Sequence, residues 1–352
     1  MVNTLLKWLT LVSAMVLSSC AKPDNSAFVE AFVAYKALFV NGGRVIDDGN
    51  EGVSHSEGQG YGMLFAVAAN DKATFDALWL WTKSTLQKED GLFSWRYRPC
   101  PSKDRACIDD TNNASDGELL ISWALLRAAD KWQDNAYKAE AKHIIHGVEQ
   151  HLLVSADGYT LLLPGQYGFD DSDAAPPRTN VQLNLSYWVF PAILAIKKHT
   201  EHAPRWQALF DSGIALIKEA QFSVYQLPPD WLRFEHGLVT LDNVVSADYG
   251  FNAVRIPLHL AWAGKALEAP EQAQLLAPFY AWWRQEFVPA TLDLTTQQGA
   301  EYEMSAGMSA VAEAVLSLTQ EHAPQWPEVN RTMDYYSASL TLLSMLAVAD
   351  SQ

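Results

Sequence analysis

Apolar positions recur along most of this chain at the three-to-four-residue interval of a helix, and strand-like alternation is rare. The pattern predicts helices near 25–40, 58–70, 72–87, 117–131, 135–152, 185–199, 205–221, 250–267, 271–287, 303–319 and 335–348. Start signals support several of them: Asp71, the run Asp116-Gly117-Glu118, and the prolines Pro204 and Pro270. Short polar segments separate most helices, as expected for antiparallel neighbours. The segments 40–56, 88–115, 154–184 and 222–249 are longer and carry Gly, Pro, Asp and Trp. Long connections inside a compact domain usually carry function. Alternating short and long connections suggest an all-α toroid of helical hairpins with the long loops gathered at one end. No linker or composition shift divides residues 21–352, which read as one domain.

Residues 1–20 stand outside that pattern. A weakly basic start is followed by an apolar run, Trp8 to Leu17, too short to span a bilayer and typical of an export signal. It ends in Leu17-Ser18-Ser19-Cys20, which resembles a bacterial lipobox, with an ordinary cleavage site nearby as the alternative. A lipidated Cys20 would anchor the protein without spanning the membrane. Ala21 after the Cys, by the same resemblance, favours the periplasmic face of the outer membrane.

Composition narrows the chemistry. Hydrophobic residues make up 49% of the 352, enough for a large core. The net charge is −16 with no Lys/Arg block, which argues against a nucleic-acid partner. In an exported protein Cys100 and Cys107, flanking a Pro-containing loop, are expected to form a disulfide. No Cys/His arrangement suggests zinc, and no metal or organic cofactor is implied.

Two motifs stand at predicted helix starts. His55-Ser56-Glu57-Gly58-Gln59-Gly60-Tyr61-Gly62-Met63 places three glycines where propensity alone would not. They allow close approach of backbone to a ligand or to another helix. Glu57 is either a dipole partner of the helix start or a functional carboxylate. Downstream, Ala114-Ser115-Asp116-Gly117-Glu118 offers Ser115 or Asp116 as a helix cap, with Glu118 in the first turn.

Together these motifs resemble glycoside hydrolase family 8. Further matches follow at Gly91-Leu92-Phe93-Ser94-Trp95, Asn184-Leu185-Ser186-Tyr187 and Ala253-Val254-Arg255-Ile256-Pro257, so the likeness runs from about residue 43 to 265. The resemblance implies an (α/α)6 barrel and inverting, endo-acting hydrolysis of β-1,4-glucan, as in the cellulases of bacterial cellulose-synthesis operons. It also admits a chitosanase or another β-1,4-glycanase. Inversion needs a protonated carboxyl on the leaving oxygen and a carboxylate that activates water, about 6.5–9.5 Å apart. Glu57 matches the family's acid. Asp116 matches its central Asp, which more plausibly holds the distorted sugar and the water network.

Asn252, in Tyr249-Gly250-Phe251-Asn252-Ala253-Val254-Arg255, stands where many family endoglucanases carry the Asp that serves as base. An amide does not accept a proton at useful pH. Asp248 is the nearest substitute if it shares a helical turn with Asn252, its alternative role being a helix cap. Asp242, Glu301 and Glu303 are less favoured. A non-catalytic, glycan-binding lipoprotein is therefore the competing reading from another class. Among thirteen Trp and thirteen Tyr, Tyr61, Trp95, Tyr187 and Trp231 are the expected sugar-binding rings, beside Asn252 and Arg255. Arg255 is expected to pair with an active-site carboxylate. The protein is expected to act as a monomer on a polysaccharide.

Overall fold

The computed structural model describes residues 25–100, 107–171 and 180–351. Cys20 and the rest of the export segment lie outside the described residues. Eleven α-helices occur among them: α1 (Ser26–Phe39), α2 (Ser56–Ala68), α3 (Lys72–Thr85), α4 (Ser115–Trp132), α5 (Asn135–His151), α6 (Phe190–Lys197), α7 (Ala203–Glu219), α8 (Ile256–Ala263), α9 (Ala269–Trp283), α10 (Ala306–Thr319) and α11 (Tyr335–Ala349). Each predicted helix has a counterpart.

Helices α2, α4, α6, α8, α10 and α11 pack each on the next, and α11 returns to α2 to close an inner ring. Helices α3, α5, α7 and α9 lie outside, each against the inner helix that precedes it, and α1 covers α11. This is an (α/α)6 toroid in which the stretch between α10 and α11 is irregular. The inner helices α2, α8 and α11 are buried on nearly every face and carry little charge, whereas outer helices such as α5 and α7 are amphipathic.

The glycines of the first motif serve this packing. A Cβ on Gly60 would lie 2.6 Å from Leu120 Cβ of α4, and one on Gly117 would lie 2.3 Å from Ser56 Oγ. The two helices therefore cross at near-backbone contact, with Glu57 and Asp116 in their first turns. Gln59 is buried as well: it accepts the Val45 N–H and donates to Thr82 Oγ1 (2.7 Å) and Gly43 O (3.1 Å), tying the 40–56 loop to α3.

Two predicted helices are shorter than the periodicity suggested. The 185–199 helix splits into a 3-10 turn, Leu185–Tyr187, and α6, where Pro191 stands in the first turn. The 250–267 helix starts only at Ile256, with Pro257 behind it and a 3-10 turn over Ala253–Arg255 ahead. The long loops also hold short antiparallel strands. Leu153–Ala156 pairs with Tyr159–Leu162, and Asn180–Leu183 pairs with Leu232–Glu235, which pairs with Leu238–Leu241. Asp157-Gly158 and His236-Gly237, all at positive φ, turn the two hairpins. Cys100 and Cys107 form a disulfide with Cα atoms 5.6 Å apart.

Candidate active site

The N-terminal ends of α2 and α4 and the 3-10 turn before α8 meet at one end of the ring. Helix starts favour negative side chains, and three carboxyl groups lie there. Glu57 is partly exposed, while Asp116 and Glu118 are buried. Asp116 does not cap its helix. It lies inside the first turn, where Oδ1 accepts the Gly117 N–H at 2.9 Å, and the residue before the helix is Ala114. Glu118 accepts from the Phe93 N–H (2.9 Å) and from Asn113 Nδ2 (3.1 Å).

Arg255 joins these groups. Its Nη1 contacts the Glu57 carboxylate, lies 3.5 Å from Asp116 Oδ2 and donates to Tyr61 Oη at 3.1 Å. Its Nη2 donates to Ser186 Oγ (3.0 Å) and Asn252 Oδ1 (2.8 Å). Tyr61 Oη in turn donates to Glu57 Oε1 at 3.2 Å. Both carboxylates thus reach the same guanidinium nitrogen, which draws Glu57 and Asp116 together at one cation.

Burial, then repulsion from Glu118, pushes the Asp116 carboxyl up to about 7. Burial likewise raises Glu118 to about 7, although its two hydrogen bonds oppose the shift. Burial lowers Arg255 only to about 10, so it stays a cation at neutral pH. Arg255 thus faces two carboxylates, Glu57 and Asp116, and burial keeps Asp116 and Glu118 ready to hold a proton near neutrality. His55 is lowered to about 4 by burial and by Arg96. It is neutral, its 3.5 Å contact to Asp47 is no ion pair, and it adds no charge beside Glu57.

Two cavities meet at Glu57. The larger, about 430 Å³, runs along Phe251, Tyr335 and Tyr336; the smaller, about 160 Å³, along Trp95, Asp116 and Tyr187. His55, Glu57, Asn252 and Arg255 line both. Of the residues expected from the sequence, Glu57, Tyr61, Trp95, Asp116, Tyr187, Asn252 and Arg255 therefore converge. Tyr61 is buried and stacked on Phe65, so it serves as a hydroxyl donor to Glu57 rather than an open platform. Trp231 packs on Phe169 (centroids 6.0 Å) and edge-on to Tyr187 (6.2 Å), one layer behind the smaller cavity.

Asp248 does not join them. It lies in a two-residue strand paired with Leu292–Asp293, not on a helical turn with Asn252. Its carboxylate accepts from Ser246 Oγ (3.1 Å), and it lines neither cavity. Nor does it cap the following helix. Asp242 is also committed elsewhere, to Gln182, Arg233 and the N–H groups of Val244 and Val245. The sequence reading missed Tyr335 and Tyr336, whose only signal is an aromatic pair opening an uncharged, almost wholly buried helix.

Comparison with known proteins agrees with this arrangement. The family model described as Glycosyl hydrolases family 8 matches residues 5–350. The chain belongs to glycosyl hydrolase family 8. This family 8 member is 37% identical over 347 residues to a probable endoglucanase of Novacetimonas hansenii, covering 96% of both chains. It is also 37% identical to an endoglucanase of Cellulomonas uda, over 87% of this chain and 82% of that one. Among solved structures it resembles endoglucanase Cel10 of Klebsiella pneumoniae (TM-score 0.82, 38% identity, 92% and 99% of the two chains). The endo-β-1,4-glucanase CMCax of Acetobacter xylinum is similar (TM-score 0.82, 36% identity, 92% and 98%).

Proposed function

We infer that this family 8 hydrolase cuts β-1,4-glucan chains internally, with Glu57 as the acid. The observation that carries the reading is the place of Glu57, at the junction of two cavities. A chain laid through both cavities puts one sugar on each side of it. Glu57 gives its proton to the glycosidic oxygen as the C–O bond breaks, water attacks the anomeric carbon from the opposite face, inverting it, and the proton that this water loses passes to Asp116, the other carboxyl lining the cleft. Asp116, held by Arg255, is placed to bind the central sugar and its water. Asn252 presents an amide to that water and orients it.

The test is release of reducing ends from carboxymethylcellulose and soluble cellodextrins, beside chitosan and xylan. Cellulosic substrates should be cut with inversion, and Glu57→Gln should abolish the cut. Full activity in that variant removes Glu57 as acid, and preference for chitosan moves the substrate class. Asn252 favours a second reading, glycan binding without turnover; tight cellodextrin binding by an inactive wild type would establish it.

We also propose that the protein is a lipid-anchored monomer on the periplasmic face of the outer membrane. Leu17-Ser18-Ser19-Cys20 supports the anchor, and a single chain supplies every cleft residue named above. Cys20→Ser should release the protein from the membrane fraction; unchanged partition would refute the anchor.

A further inference from the structure

A buried carboxylate that touches neither cavity holds half of the site in place. Asp230 follows Pro228-Pro229 and is 8% exposed. Its Oδ1 alone accepts three backbone N–H groups, from Gly250 (3.1 Å), Asn252 (3.0 Å) and Ala253 (2.7 Å). Its own N–H donates to Asp248 O at 2.6 Å. Gly250 is fitted to it, since a Cβ there would lie 3.1 Å from Asp230 Oδ2 and 3.1 Å from Thr291 Cγ2.

Those donors begin the 3-10 turn that leads into α8. The first N–H groups of a helical segment have no partner within it, and here a carboxylate distant in sequence satisfies them. No side chain within the segment itself does so: neither Asn252 nor Arg255 makes a side-chain cap. The same few residues carry Asn252 and Arg255. Arg255 is bound back to Asn252 through Nη2 and Nε, and its Nη1 faces Glu57, Asp116 and Tyr61. A continuous set of contacts thus runs from Asp230, through the backbone of 250–253, to the acid.

We propose that Asp230 is a positioning residue for hydrolysis, fixing Asn252 and Arg255 against Glu57 and Asp116 without meeting the substrate. Burial raises its carboxyl, and the three N–H groups and then the Asn252 side chain oppose that rise, consistent with a group kept for its anchoring role. The inference rests on the hydrolase reading above. Hydrogen bonds from amides to an ionised acceptor are strong and directional, so their loss frees the segment rather than refilling the space. Displacement of a catalytic group by about 1 Å costs on the order of 100-fold in rate.

The experiment takes the full-length chain as wild type, Asp230→Ala, Asp230→Asn and Gly250→Ala. It measures kcat and KM on a soluble cellodextrin, thermal stability, and amide hydrogen exchange across 248–256. Asp230→Ala should lose on the order of 100-fold in kcat with KM changed by less than about threefold, and 250–253 should exchange faster. Asp230→Asn keeps an oxygen acceptor in the same place and should recover about tenfold of that loss. A folded Asp230→Ala with wild-type kcat overturns the proposal, as does a kcat loss that is not partly rescued in Asp230→Asn. If Asp230→Ala does not fold, Gly250→Ala decides: it leaves the carboxylate but crowds it, and should lower kcat about tenfold at constant KM. Wild-type kinetics there overturn the proposal. A wild type that cuts no glucan defeats the hydrolase reading instead. The exchange data then judge Asp230 alone, and unchanged protection of 250–253 in Asp230→Ala, or in Gly250→Ala where Asp230→Ala does not fold, refutes its positioning role.

Discussion

Arg255→Lys is the substitution that most directly probes the assembled site. The guanidinium serves two sets of partners at once: Nη1 faces Glu57, Asp116 and Tyr61, and Nη2 holds Ser186 and Asn252. A lysine ammonium is a single point and can keep one set. If it stays with the carboxylates, the two bonds to Ser186 and Asn252 are lost, at about 1 kcal/mol each. About 2 kcal/mol corresponds to roughly 30-fold in rate if these bonds matter in the transition state. Arg255→Met should cost more, because a buried ion pair stripped of one partner loses about 3–5 kcal/mol. It also leaves Glu57 and Asp116 facing each other without a cation. The assay is kcat and KM on a soluble cellodextrin with thermal melting of each variant. The expected order of kcat is wild type, then Lys, then Met, and Ser186→Ala should add little to Arg255→Lys because its partner is already gone. A Lys variant within about twofold of wild type, or additive losses in the double mutant, would refute the reasoning.

Three further outcomes follow from the geometry. The Asp116 and Glu118 carboxyls are raised to about 7 in the fold, so between about pH 4 and 7 the native state holds protons that the unfolded chain has released. Stability should fall as pH rises through that window, and Glu118→Gln should flatten the fall of Tm; equal pH dependence in both proteins contradicts the burial argument. Asp248→Asn should retain near-wild-type turnover, since that side chain faces Ser246, and a loss of more than about tenfold would return it to the mechanism. Asn252→Asp keeps the oxygen that Arg255 binds and adds a carboxylate beside both cavities, so it should raise kcat; a variant with lower kcat and intact folding argues that the amide itself is required.

Helical periodicity located all eleven helices because an inner or outer barrel helix must bury a continuous stripe, and that requirement is written locally. Glu57, Asp116 and Arg255 were legible for a different reason: each stands in a short motif whose residue types are recognisable without knowing their neighbours. The hairpin at Asp157-Gly158 was also legible in principle, through its turn residues, but lay inside a segment read only as loop. Local pattern failed where the backbone obeys distant partners. The helix expected over 250–267 starts only at Ile256, and the turn that Asp248 would have shared with Asn252 does not form, because nothing near residue 250 reveals that Asp230 takes its N–H groups. The motif glycines were likewise ambiguous between a ligand and another helix until α4 was seen against α2. The sequence alone thus determined which elements form and which carboxylate is the candidate acid. Tertiary structure decided which side chains share the cleft, because those contacts join residues far apart in sequence, Glu57 and Arg255 being 198 positions apart.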